Sequence, residues 1–119
     1  MGSKSNTFEN ELLLHIFQNA DIADIGDAAG LQNSAAAGNL YVSLHTATLD
    51  DTSTQVTSET TYTDYVRVAV ARSAGGWTVS GNSVSPAANI DFATCGVTAG
   101  GPITHFGVGV NSAGAGKLL

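Results

Sequence analysis

Apolar and polar positions alternate most clearly between Tyr62 and Phe92, YTDYVRVAVARSAGGWTVSGNSVSPAANIDF. Val66, Val68 and Val70 lie two apart, so on an extended backbone they share one face, while Tyr65, Arg67, Ala69 and Ala71 share the other. Gly75-Gly76 supplies backbone freedom for a reversal, after which Trp77 and Val79 alternate with Thr78 and Ser80. Gly81-Asn82 is a two-residue loop of the kind that closes tight hairpins, and Ser83 to Ser85 forms the return strand before Pro86. The stretch therefore predicts two successive hairpins. Leu40, Val42 and Leu44 alternate with Tyr41, Ser43 and His45, which predicts a strand with one buried face. Ile90 and Phe92 predict another short strand. Phe106, Val108 and Val110 alternate with His105, Gly107 and Gly109, where the glycines leave room for a close neighbour such as Trp77 or Tyr65. Lys117-Leu118-Leu119 reads as the opening of a last, incomplete strand.

The N-terminal segment has a different period. Phe8, Leu12, Ile16 and Ala20 recur at helical spacing, widened by Leu13 and Phe17, which predicts a helix from about Phe8 to Asn19. Asn6 is its expected cap, and Glu9 and Glu11 suit the positive end of the helix dipole. The following DIADIGDAAG predicts an amphipathic turn or second helix ending at Gly30, so that residues 6–30 form a helical segment. Residues 47–61, ATLDDTSTQVTSETT, are nearly free of apolar anchors and predict a long exposed excursion. The fold expected is mainly β, an antiparallel jelly-roll-like β-sandwich over residues 40–119 with an N-terminal α-helix packed on it, in one domain spanning 1–119. Phe8, Leu12, Tyr65, Val68, Trp77, Phe92 and Phe106 are its expected anchors.

Composition narrows the function. A chain of 119 residues can bury a core without metal or disulfide. Four basic residues against ten acidic ones, a net charge of −6, argue against a nucleic-acid groove, which draws its affinity from Lys and Arg. Glu9, Glu11, Asp21, Asp24 and Asp27 crowd the first thirty residues and predict an acidic surface. We take Glu9, Glu11, Asp21, Asp24, Asp50, Asp51 and Thr54 as candidate subunit contacts. The single cysteine, Cys95, has no internal partner and reads as a small, partly buried apolar residue. No apolar run reaches the ~18 residues of a membrane span, and the N-terminus lacks the pattern of a signal peptide.

Tests for chemistry fail in turn. In GVGVNSAGAGK, Leu118 stands where Ser or Thr would hold magnesium, and Asn111 interrupts the glycine spacing of a phosphate loop. Asp21, Asp24 and Asp27 lack the ligand spacing and terminal Glu of a calcium loop. His15, His45 and His105 are widely separated, and no nucleophile elbow or zinc motif occurs. No enzyme, cofactor or metal site is expected.

The segments SNTFENELLLHIFQNADIADIGDAAG, LYVSLHTA, YTDYVRVAVARSAGGWTVSGNSVSPAANIDF and THFGVGVNSAGAGKLL, taken in order, resemble a family of small virion structural proteins of tailed double-stranded DNA bacteriophages and prophages, commonly labelled tail fibre proteins. The resemblance implies a non-enzymatic particle component, folded as a β-sandwich and present in many copies, and it transfers no catalytic residue. Members of that family generally continue past the position of Leu119. The expectation is that a neighbouring subunit pairs the open edge here, or that further chain follows. Because the chain lacks heptads and long repeats, the main expectation is a head decoration (cement) protein that stabilises the capsid. The alternatives are a tail-associated fibre subunit, or a host-glycan-binding module built on Trp77, Tyr62 and Tyr65. A weaker rival is a hydrolytic virion enzyme dependent on His45 or His105. Expected partners are major capsid or tail proteins and further copies of the chain in a homo-oligomer, without nucleic acid or membrane. The expected location is the virion, assembled in the host bacterial cytoplasm.

Overall fold

Residues 3–119 are described by a computed structural model. The helical and alternating periods become one helix, α1 (Asn6–Gln18), and five strands: β1 (Asn39–His45), β2 (Val68–Ala71), β3 (Trp77–Ser80), β4 (Ser83–Pro86) and β5 (His105–Gly109). The strands form a three-stranded sheet ordered β2-β1-β5 and a two-stranded sheet, β3-β4. The fold is thus mainly β with one N-terminal helix. Its five strands are fewer than the eight of a jelly roll. Backbone contacts group the chain into two compact units, the described part of Met1–Asn39 with Ala71–Asn89, and Leu40–Val70 with Ile90–Leu119.

In the first unit α1 lies against the β3–β4 hairpin. Its cap is Ser5, one residue before the expected Asn6: the Ser5 hydroxyl accepts the Phe8 N–H at 3.2 Å. Phe17 and Trp77, 8% and 3% exposed, meet edge to face with centroids 4.9 Å apart. Burying each ring contributes about 2–3 kcal/mol, and the aromatic pair about 1 more. Polar side chains then fix the helix lengthwise. Asn10 donates to the Gly81 carbonyl at 2.7 Å and Gln18 to that of Trp77 at 2.8 Å. Asn19 ends the helix in the left-handed region (φ 57°), and Arg72 donates to the carbonyls of His15, Ile16 and Ala37 at 2.7, 2.6 and 3.0 Å. The cationic guanidinium thereby sits at the negative end of the helix.

Residues 21–31 form a turn and not a second helix. Ile22, 1% exposed, exchanges both backbone hydrogen bonds with Leu31 at 3.0 and 2.8 Å. Gly30 makes this closure possible, since its φ is +67° and a Cβ there would collide with the Ile22 carbonyl. The β3–β4 hairpin has the expected register, Val79 opposite Val84, and Gly81 alone of its two loop residues takes a positive φ, 60°. The other expected hairpin is absent. Ser73 accepts the N–H groups of Gly76 and Trp77 in a tight turn, and β2 and β3 belong to different sheets. Alternation marks a strand but not its partner.

In the second unit β1 pairs antiparallel with β5, placing Val42 opposite Val108, Ser43 opposite Gly107 and Leu44 opposite Phe106. Both faces of β1 are covered, where the sequence predicted one: Leu40 and Val42 are 4% and 5% exposed, yet Ser43 and His45 are at 0%. β2 starts only at Val68, and Val66 is 65% exposed. Ile90 and Phe92 form no strand. Phe92 instead stacks on Tyr65 at 6.2 Å. At the end of the chain Lys117 accepts the Val110 N–H at 3.2 Å and Leu119 donates to Val108 at 2.9 Å, so this segment pairs along β5.

Gly38 shares the φ of Gly30, +67°, but has open space where a Cβ would go. Gly38→Ala should cost about 1 kcal/mol of unfolding free energy from conformation alone. Gly30→Ala should cost distinctly more in urea titrations. Equal losses would show that the 22–31 closure does not constrain position 30.

Candidate contact surface

The segment expected to be a long exposed excursion is a folded loop held by polar side chains. Gln55 is completely buried. Its Oε1 accepts the Asn111 N–H at 2.9 Å, its Nε2 donates to the Asn111 carbonyl at 3.1 Å, and its own N–H reaches Gly116 O at 2.9 Å. A Cβ at Gly109 or Gly116 would fall within this side chain, so both glycines make its seat. Further along, Thr46 and Thr60 donate their N–H groups to Ser58 O and Leu44 O at 2.8 and 2.9 Å, fastening the loop to the end of β1. His45 contacts Thr57 O through Nδ1 and Ser43 Oγ through Nε2, both at 2.8 Å. The Thr57 carbonyl only accepts, so Nδ1 carries a proton, and the Ser43 hydroxyl also lies 3.4 Å from the Gly107 carbonyl. This serine–histidine pair has a carbonyl in place of a carboxylate, and complete burial keeps the hydroxyl from any substrate. The room beside Gly107 is taken by Leu118, His45 and Ser43, not by Trp77 or Tyr65.

A second tie crosses the same place. Arg67 binds Glu59 through two bonds of 2.7 Å, with side chains 3% and 15% exposed, and also donates to Asn111 O and Gly114 O at 2.9 and 2.8 Å. Tyr65 donates its hydroxyl proton to Glu59 at 2.8 Å and accepts the Leu44 N–H at 3.0 Å. Burial pushes the Glu59 carboxyl up, but the hydrogen bonds from Arg67 and Tyr65 and the charge of Arg67 outweigh it and hold the group below its ordinary range. The Tyr65 phenol is raised, chiefly by burial and then by the adjacent Glu59 carboxylate.

These ties present a groove of about 340 Å³, lined by Leu49, Phe106, Val108 and Leu118 together with Asp50 and Asp51. Asp50 closes a tight turn, its Oδ1 accepting the Thr52 N–H and hydroxyl at 2.9 and 2.7 Å and the Ser53 hydroxyl at 3.1 Å. Those bonds, Thr52's first, hold its carboxyl below the usual carboxylate range. Asp51 is exposed. Thr54 is half-buried and pairs with Lys117, so it faces this chain's own backbone.

The remaining candidates belong to the first unit. Glu9 and Glu11 are half-buried on α1, and Glu9 lines a cleft of about 230 Å³ with Lys4, Leu12, Leu13 and Asn82. Asp21 accepts the Asn33 N–H at 2.7 Å, and Asp24 is exposed with φ 61°. Among the expected anchors Trp77 is buried, whereas Phe8, Leu12, Tyr65, Val68 and Phe92 are half-buried. Phe106 is no core anchor at all, being 69% exposed, because the glycine face of β5 is the one that packs inward. Cys95 is exposed as well, its thiol near Thr98 O at 3.4 Å. Gln55, Glu59 and Arg67 carry no motif that marks them as a unit. The available signal was a polar loop paired with the glycines at 107, 109 and 116.

Glu59 sets an acid limit. Its folded carboxyl titrates below the unfolded value of about 4.3, so the pair contributes stability that is complete above that pH and is lost as pH falls through the folded value. Glu59→Gln should flatten this acid-side decline in denaturation curves recorded from pH 6 to 3, approximate points on the pH axis. Arg67→Ala, which strands the carboxylate, should cost about 3 kcal/mol at neutral pH. An unchanged acid slope in Glu59→Gln would exclude this pair as the source.

No curated protein and no solved structure matches the chain. A family model does: residues 3–119 match Gp80, podophage GP4 fiber I protein gp80, and the chain belongs to that family of phage fibre proteins.

Proposed function

We propose that the chain is a tail-associated fibre subunit of a podophage virion, a structural component that works by contact with other virion proteins. The family match over residues 3–119 carries this reading, and it favours the fibre alternative over the head decoration expected from compactness. Lack of heptads describes the fold of a subunit and not the place where that subunit attaches. The contact surfaces would be the groove bearing Asp50 and Asp51 in one unit, and Glu9, Glu11, Asp21 and Asp24 in the other. Burial of Asp50 or Asp51 against a basic neighbour would add specificity and association rate more than raw affinity. Repetition as a homo-oligomer and assembly in the host cytoplasm belong to the same proposal.

The family's structural character and the buried Ser43–His45 pair both favour a role without catalysis. A glycan-binding role loses its main platform, because Trp77 is 3% exposed and lies against Phe17. Its fluorescence should be blue-shifted, resistant to acrylamide and unmoved by host-surface glycans. A glycan-dependent shift would reopen that reading.

Immunogold labelling of purified particles should place the chain at the tail, in a copy number compatible with tail symmetry. Label spread over the capsid lattice would overturn the fibre assignment in favour of decoration.

A further inference from the structure

All ten acids of the chain lie at or before Asp91, and from Phe92 to Gly116 there is neither an acid nor a lysine or arginine. Within that run every residue from Ala93 to Ala99 is exposed, and Val97 stands 96% exposed. The loop beneath imposes that position. Thr63 accepts the Gly96 N–H on its carbonyl and the Thr98 N–H on its hydroxyl, both at 3.0 Å, and donates its own N–H to Thr98 O at 2.9 Å. The residues on both sides of Val97 are thus tied inward to one threonine. A Cβ at Gly96 would strike Thr63 and Asp64, and one at Gly100 would strike Thr60 and the N–H groups of Thr61 and Tyr62, so the loop lies flush on residues 60–64. Tyr62 holds its start by donating to Ala93 O at 2.8 Å. A single exposed valine is ordinary on a protein surface. A stiff, β-branched one mounted on a tied loop, within a long uncharged run, can be covered at little entropic cost.

We propose that this loop is a contact between copies of the chain, with Val97 of one copy packed on Val97 of the next. The proposal rests on the homo-oligomer named under the proposed function and gives it a surface. Charge selects the occupant. A basic partner is served by the acid-bearing surfaces and gains nothing from an uncharged loop. A second copy carries −6 itself, so contact across acidic surfaces is opposed, and the uncharged run is where two copies meet with the least repulsion. Meeting of like loops also sets apolar against apolar and makes the contact isologous. Asp64, exposed at the foot of the loop, then stands at the rim of the contact, where salt screens it.

Sedimentation equilibrium of the full chain tests this. Self-association should strengthen as sodium chloride is raised from about 0.1 to about 1 M, because the range of like-charge repulsion falls from ~10 to ~3 Å while the apolar contact is kept. Val97→Asp should weaken association at least tenfold and Val97→Ile should keep it. Both should leave the melting temperature of the dilute monomer unchanged, since this side chain is almost wholly in solvent there. Val66→Asp, at a position 65% exposed outside the run, should leave association unaltered. The exposed Cys95 thiols of two copies should be joined by a short bismaleimide in the wild-type chain and not in Val97→Asp. A chain that stays monomeric at every salt concentration overturns the proposal. So does association that weakens with salt, which would mean pairing of acids with Lys4 or Lys117, and so does association indifferent to Val97→Asp. Particle labelling decides the virion reading separately. A chain absent from particles that still associates through Val97 sinks that reading alone, and a virion chain that does not self-associate sinks this contact alone.

Discussion

The second unit depends on one primary amide. Gln55 is buried without remainder, and both ends of its side chain meet the backbone of a single residue, Asn111. An unpaired amide in that position would cost several kcal/mol, so the loop from Thr46 to Thr60 is stable only in the register that satisfies it. Arg67 arrives at the same Asn111 carbonyl from another direction while holding Glu59. Two side chains sharing one acceptor make a connected network, in which each bond orders the partners of the next. A loop with almost no apolar residues thereby acquires the fixed shape that a hydrophobic core ordinarily provides.

Seating Gln55 decides what faces outward. Gly109 and Gly116 must lack a side chain to admit it, and Gly107 leaves space for His45, Ser43 and Leu118. The glycine face of β5 is therefore its inner face. Because side chains alternate across a strand, Phe106 is turned the other way and left 69% exposed. The exposed ring lines the groove that Leu49 and Leu118 also line. The exposed apolar surface follows from how the polar interior is packed.

What was legible in the sequence was what is local. α1, β1 and the β3–β4 hairpin depend on periodicity and on the Gly81-Asn82 turn, all contained in a few neighbouring residues. Strand partners were not legible: Val68 and Val70 announce a strand, but nothing in their spacing shows that β1, and not β3, is beside them. The inward side of β5 was misjudged because hydrophobicity was taken to point to the core, where here close approach does. Small residues at 107, 109 and 116 were the better guide. The 47–61 loop is largely exposed, as its composition suggests, but a rule for burial that counts apolar residues misses its anchors, Gln55, Glu59 and the carbonyls they meet. Compactness likewise described how the chain folds and carried no information about head or tail.

The first unit uses the same device by other means. Arg72 closes the carbonyl end of α1, Asn10 and Gln18 tie the helix to the β3–β4 hairpin, and Asn19 exchanges hydrogen bonds with Ser34 at 2.9 Å in each direction. With charged residues only 12% of the chain, few ion pairs are available, and side-chain-to-backbone bonds take their place. Each is worth only about 1 kcal/mol net, but each also removes freedom from a surface segment before any partner arrives. In the proposed role as a virion subunit, that prior ordering would lower the entropy lost on assembly and so matter more than the stability gained.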